Sequence, residues 1–248
     1  MSAESILQLE GVTVTADGKP VCHDVNLTIN DGETHILLGP NGSGKSSLLC
    51  ALMGIRPFDI VGGTALYCGQ DLTAMSLDER ARAGVGMAFQ RPPSLTGVTV
   101  KQLIAAMQPD PADSGTVPSS DPVEKLGLTH LLDRDINKGF SGGEAKRWEI
   151  AKLTTQSPRL CLFDEPESGV DIEQVKVVAG AISELMNTPL PDGKQRAAII
   201  ITHTGFILDG IDATIAHLLI DGRIQASDDA KQLFNHVRRR GYAAATLS

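Results

Sequence analysis

The chain has 248 residues, 22 of them basic and 30 acidic, for a net charge of −8. That length builds a core without disulfide or metal staples. An apolar fraction of 42% with 21% charged residues belongs to a folded chain, not a disordered one. The acidic balance argues against a nucleic-acid partner or a general anionic-membrane binder. The longest apolar run, Leu48–Ile55, falls far short of the roughly 20 residues of a spanning helix, so no direct membrane insertion is expected. The N-terminal residues carry neither the basic region nor the apolar stretch of a secretory signal. The four cysteines, Cys22, Cys50, Cys68 and Cys161, lie far apart without a Cys-x-x-Cys pair. They read as buried thiols of a reducing cytoplasm, not as a metal or cluster site.

In chain order, Ile6–Leu9 and Val12–Thr15 alternate as short strands, Asp17-Gly18 is a turn signal, and Val21–Ile29 alternates again. His35–Leu38 is a strand that runs into a glycine-rich loop and a helix from about Ser46. Leu77–Ala83 reads as a short helix and 84–89 as a short strand. Beyond Arg91-Pro92-Pro93 the texture changes. Val100–Met107 is helical, residues 109–122 hold four of the thirteen prolines and read as a loop, and Val123–Gln156 is helical again. Leu160–Phe163 and Ala197–Ile201 are continuous apolar runs, as buried parallel strands are. Between them Ile172–Met186 is an amphipathic helix. His217–Ile220 and Arg223–Ala226 form a hairpin about Asp221-Gly222, and a basic helix, Asp229–Arg240, follows. The pattern is α/β at both ends with a helical insert.

Gly39, Pro40, Asn41, Gly42, Ser43, Gly44, Lys45, Ser46 and Ser47 fit G-x-x-x-x-G-K-[ST], after a strand and before a helix. The glycines let backbone N–H groups approach phosphate oxygens, and the helix N-terminus adds partial positive charge. Lys45 supplies a point charge for β/γ-phosphates, and the Ser46 hydroxyl suits Mg²⁺. The strand Leu160–Phe163 ends in Asp164-Glu165, at the edge where ligands of such sheets gather. There Asp164 would hold magnesium through water, and Glu165 would polarise the attacking water as general base. Ser141-Gly142-Gly143-Glu144 opens a second anion-binding helix N-terminus. One nucleotide does not need two such sites from one chain, whereas two facing chains would use both.

Together these segments resemble the nucleotide-binding domain of ABC-type ATPases, with the motifs in family order over essentially the whole chain. They are a Walker A loop at 39–47, a Q-loop glutamine at Gln90, a signature at Ser141–Glu144, a Walker B strand ending at Asp164-Glu165, a D-loop at 168–171 and a switch histidine at His203. The resemblance implies a P-loop NTPase fold of the ABC ATPase type. Its RecA-like α/β core with an antiparallel β-subdomain would span 1–90 and 158–248, and a helical signature subdomain 91–157, within one domain covering 1–248. It implies ATP and Mg²⁺ as cofactors. Gln90 would sense the γ-phosphate and Mg²⁺, and His203 would contact the γ-phosphate and support Glu165. Ser141, Gly142 and Gly143, with Glu144 beside them, would bind ATP held by a second copy, and Asp171 would help join the copies.

Within the family the signature Gly139–Ile150, the post-Walker B segment Asp164–Ile172, the Q-loop Ala88–Val98 and the tail from Asp221-Gly222-Arg223 to Arg240-Gly241-Tyr242 resemble the SufC group, the ATPases of SUF iron–sulfur cluster assembly. Pro166 and Trp148 depart from that group. The resemblance implies an ATP-dependent dimer bound to a SufB- or SufB/SufD-like scaffold. The alternative is the ATP-binding subunit of a membrane ABC transporter. The family commonly stacks adenine on an aromatic residue in the first β-region, and Val12–Val21 contains none, which predicts modest ATP-over-GTP selectivity.

Overall fold

A computed structural model describes residues 5–107, 122–203 and 205–242. The chain opens with β1 (Ser5–Ala16) and β2 (Lys19–Asn30). The expected pair of short strands before Asp17-Gly18 is one strand. Its two alternating runs are joined by a register shift between Leu9 and Val12, where the Asn26 side chain accepts the Gly11 N–H at 2.9 Å. Next come β3 (Thr34–Leu38), α1 (Lys45–Met53), β4 (Phe58–Tyr67) and β5 (Gln70–Asp71). Then follow α2 (Leu77–Ala83) and β6 (Val85–Ala88). Strand β7 (Leu95–Thr99) leads into α3 (Val100–Met107), whose bounds are those read from the sequence.

The run Val123–Gln156 is not one helical stretch. Helix α4 (Pro122–Lys125) and the 3-10 turn Thr129–Leu131 precede β8 (Asp135–Ile136), and the long helix α5 spans Gly142–Gln156. Gly127, Asn137 and Gly139, all with positive φ, interrupt the helical pattern. Apart from Pro122, the expected loop 109–122 lies outside the described residues. The chain continues with β9 (Leu160–Asp164), α6 (Ile172–Asn187), β10 (Ala197–Ile201), β11 (Ile215–Ile220), β12 (Arg223–Asp229) and α7 (Ala230–Arg240).

The main sheet has the order β12-β11-β3-β10-β9-β6, parallel except for the β11–β12 hairpin. Every residue of β3, β6, β9 and β10 is buried, because this sheet is covered on both faces. One face packs with α1 and the antiparallel sheet β2-β1-β4-β5, around Leu37, Leu49, Leu52 and Ile199. The other packs with α5, α6 and α7, around Ile36, Phe163, Ile182 and Leu233. A third, smaller cluster joins Val100, Val123, Leu131, Trp148 and Ala151, so α5 serves both the main sheet and the segment that carries β7 and β8. That segment is not wholly helical, since β7 and β8 pair antiparallel. Parallel pairing of β3, β10 and β9 brings the loops after Leu38, Ile201 and Asp164 to a single edge.

Candidate nucleotide site

At that edge a cavity of about 770 Å³ is lined by Val21, Pro40–Ser47, Gln90, Glu165, His203 and Tyr242. The phosphate loop forms its floor. Gly39, at φ 153°, and Gly44, at φ 102°, adopt backbone that L side chains resist, and neither has room for one. A Cβ at Gly39 would fall 2.1 Å from the Leu219 carbonyl oxygen. One at Gly44 would fall 2.7 Å from the Val21 carbonyl oxygen and 2.8 Å from Cys22 Sγ.

Lys45 Nζ donates to the carbonyls of Gly39 at 2.8 Å and Pro40 at 2.9 Å, and so folds back over its own loop. Burial draws its pKa below the usual lysine range, opposed by the charges of Glu165 and Asp164. Ser46 Oγ donates to Asp164 Oδ1 at 2.9 Å, tying the first turn of α1 to the end of β9. Burial raises the Asp164 pKa, opposed by that hydrogen bond. The buried Ser43 Oγ has no hydrogen-bond partner among the described residues. An orphaned hydroxyl, a lysine ammonium and a glycine cradle at a helix N-terminus fit the phosphates of a nucleotide. The oxygens of Ser46, Asp164 and Gln90 are the hard donors a Mg²⁺ ion takes.

Glu165 stands in the left-handed region at φ 46°, uncommon for a residue with a side chain and associated with functional sites. Its carboxylate meets Gln90 Nε2 at 2.5 Å on one oxygen and His203 Nε2 at 2.6 Å on the other. The expected acid, glutamine and histidine are therefore in contact, although 75 residues of sequence separate Gln90 from Glu165.

Three positions that sequence reasoning passed over hold this arrangement. Lys146, buried on α5, donates to the carbonyls of Gln90 at 2.8 Å and Glu165 at 2.9 Å. Burial lowers its pKa, opposed by the carboxylates of Glu167, Glu149, Asp164 and Glu165. One turn on, Glu149 accepts the Phe89 N–H at 2.9 Å. The signature helix thus grips both sides of the Gln90 backbone. Glu167, buried three residues after Asp164, accepts a hydrogen bond from the Thr202 hydroxyl, next to His203. Lys146, Glu149 and Glu167 lie inside the quoted motifs, but nothing in the spacing says that they point inward.

The remaining expected residues do not line the cavity. Ser141 is the N-cap of α5, its hydroxyl accepting the Glu144 N–H at 3.3 Å. The Glu144 carboxylate is turned back onto the Ser141 N–H and His130 Nε2, each at 2.7 Å. These contacts, the backbone N–H first, hold the Glu144 pKa down at about 2. Glu144 therefore acts here as a cap, with a charge of the wrong sign for phosphate. Gly142 and Gly143 lie beside Gly169 and Gln174. Asp171 caps α6 through the Gln174 N–H at 2.9 Å. Gly39 shapes the loop from behind.

Cys22 and Cys161 are buried and Cys50 and Cys68 half-buried; burial pushes Cys22 up to about 11 and Cys161 to about 12. Among the described residues no group of three or more His, Cys, Asp or Glu could hold a metal ion, and no helix is long and apolar enough to cross a membrane.

The chain matches the model of the ABC transporter family over residues 22–168. It is 38% identical to a probable ABC transporter ATP-binding protein of Streptococcus pyogenes serotype M18, over 96% of this chain and 94% of that one. It is 37% identical to the probable ATP-dependent transporter SufC of Escherichia coli K12, over 97% of this chain and 99% of that one. Among solved structures, a nucleotide-free ATP-binding cassette from an ABC transporter superposes with a TM-score of 0.76 at 23% identity, covering 98% of this chain and 99% of that one. With the phosphate loop, the Ser46–Asp164 link and Glu165 gathered at one sheet edge, the chain belongs to the ABC transporter family and is an ATPase of the ABC type.

Proposed function

We propose that this chain is the motor of a SUF-type iron–sulfur assembly machine, acting in the cytoplasm as an ATP-dependent pair of copies on a SufB- or SufB/SufD-like scaffold. The observation that carries the pairing is the division of the motifs. Pro40–Ser47, Gln90, Glu165 and His203 share one cavity, while Ser141–Gly143 stand outside it, beside Gly169. A second copy facing the first completes each site. Likeness to SufC along nearly the whole chain, and the signature and post-Walker B residues, support the scaffold as the partner.

In this reading the phosphate-loop amides and Lys45 bind the β/γ-phosphates, and Ser46, Asp164 and Gln90 hold Mg²⁺. Bound there, the ion neutralises phosphate charge. Glu165 takes a proton from the attacking water as its oxygen bonds to the γ-phosphorus and the bond to the β,γ-bridging oxygen breaks. Gln90 and His203 orient Glu165, and Ser141–Gly143 of the second copy cover the γ-phosphate. ATP touches both halves only when they are closed, so it shifts the population toward closure. The Lys146 contacts to Gln90 and Glu165 carry that change into α5 and the segment 91–157, which we assign as the transmission element.

A second reading, the ATP-binding subunit of a membrane transporter, is favoured by the name of the Streptococcus pyogenes relative. Affinity purification of the full chain from its native cells, with mass spectrometry of what accompanies it, separates the two. A soluble partner carrying iron and sulfide supports the first reading. A multi-span membrane protein overturns it in favour of the second.

A further inference from the structure

The sequence offers no aromatic residue in Val12–Val21, yet the cavity has an aromatic wall. Tyr242 supplies it from the opposite end of the chain. The topology explains how. Strand β12 runs antiparallel to β11 and ends with Asp229 opposite Ile215, at the edge of the sheet away from the phosphate loop. Asp229 then caps α7, accepting the N–H groups of Lys231 and Gln232, and the helix returns across the sheet toward the nucleotide edge.

On the way the Phe234 ring lies against Gly205, so closely that a Cβ there would fall 1.9 Å from the ring. Gly205 is two residues after His203, so α7 braces the loop that carries the switch histidine. The chain leaves the helix at Gly241, at φ 76°, a left-handed backbone that turns it off the helix axis. The next residue, Tyr242, is half-buried, packs against the core cluster of Phe163 and Val237, and lines the cavity with Glu165 and His203.

We propose that Tyr242 is a positioning residue for ATP hydrolysis, its ring walling the Glu165–His203 side of the cavity and its hydroxyl, which bonds to none of the described residues here, donating to the Glu165 carboxylate once nucleotide fills the cavity. Each Glu165 oxygen already has one partner, Gln90 or His203, and keeps a free lone pair. Burial and the neighbouring Glu165 charge raise the Tyr242 pKa, which keeps the phenol protonated and a donor. A third donor restricts the rotamers of the carboxylate that must face the attacking water, and the ring excludes bulk water from that side.

The proposal rests on the assignment of Glu165 as general base, so the experiment includes a control for that assignment. Tyr242→Phe, Tyr242→Ala and Glu165→Gln are compared with the parent full-length chain for turnover at saturating ATP, for the Kd of a fluorescent ATP analogue and for thermal melting. Tyr242→Phe is expected to lower kcat about tenfold, with the Kd within about twofold and the melting temperature unchanged. Tyr242→Ala is expected to lose at least as much turnover. Tyr242→Phe with parental kcat overturns the hydroxyl's role, even if Tyr242→Ala is slow. A kcat kept while ATP binding weakens in both variants makes Tyr242 a binding contact and overturns the proposal. Undiminished turnover in Glu165→Gln refutes the general-base assignment itself, whatever the tyrosine variants do.

Discussion

Gly44→Ala is a sharp test of how the phosphate loop is built. The new methyl meets two separate obstacles. Its backbone stays at φ 102°, which costs a residue with a Cβ about 1–2 kcal/mol. Its Cβ would also sit 2.7 Å from the Val21 carbonyl oxygen and 2.8 Å from Cys22 Sγ, and such overpacking costs about 1–3 kcal/mol. The sum is roughly 2–5 kcal/mol. At about 2–4 °C per kcal/mol for a chain of this size, melting should fall by roughly 4–20 °C. ATP affinity should fall with it, because Gly44 is the N-cap of α1, directly before Lys45. Adding Cys22→Ala removes one of the two obstructing atoms and leaves the other, together with the backbone strain. The double variant should therefore recover part of the loss and not all of it. Differential scanning calorimetry and nucleotide titration measure both effects. A Gly44→Ala chain with parental melting and affinity would refute the reasoning, and full rescue by Cys22→Ala would refute its strain component.

Glu165→Gln should bind ATP and stall hydrolysis, accumulating an ATP-bound dimer in light scattering; a monomer with ATP and Mg²⁺ present would count against pairing. Ser141→Arg should abolish that dimer while the Kd for ATP stays nearly unchanged, and should cost about 1 kcal/mol of stability through the lost N-cap. Acid should destabilise the fold through a buried histidine pair. Here His35 Nδ1 lies 2.9 Å from His217 Nε2, His35 Nε2 is 3.2 Å from Glu33 Oε2 and His217 Nδ1 is 2.7 Å from Ser227 Oγ. Burial lowers both histidines, His217 from 6.5 to about 3, so the unfolded chain binds more protons than the folded one between those values. Stability is then complete above pH 6.5 and declines as pH falls toward 3, by an amount on the order of 5 kcal/mol for His217. Replacing both histidines with glutamine should flatten the melting profile between pH 6.5 and 4; an unchanged slope would exclude the pair as its source.

Much of this arrangement is legible in residue order because it is written in strong local signals. The buried runs Leu160–Phe163 and Ala197–Ile201 and the glycine-rich loop place three sheet-edge segments without any knowledge of pairing. Strand β4 is different. Its Phe58–Tyr67 run carries Gly62-Gly63 in its interior, which weakens the local strand signal, and pairing with β1 and β5 holds it as a strand. The pairing of β7 with β8 is likewise tertiary, with only Leu95–Ile136 and Thr99–Asp135 in register. Lys146 and Tyr242 escape for a related reason. Their partners are elsewhere in the chain, and a lysine on a helix or a tyrosine beyond one carries no local mark of direction. The self-capped Glu144 needed geometry as well, since the same four residues read equally as an anion site.

The hydrogen bond between Ser46 and Asp164 joins residues 118 positions apart. Neither the first half of the chain nor the second holds both, so the nucleotide pocket comes into being with the folded domain and vanishes with it. Nucleotide occupancy is then linked to the folding equilibrium by mass action. A ligand at one hundred times its dissociation constant adds about 2.7 kcal/mol to the native state. In a cell rich in ATP, the occupied chain would outlast the empty one against proteases that cut unfolded polypeptide, so nucleotide supply would set the abundance of the ATPase as well as its speed.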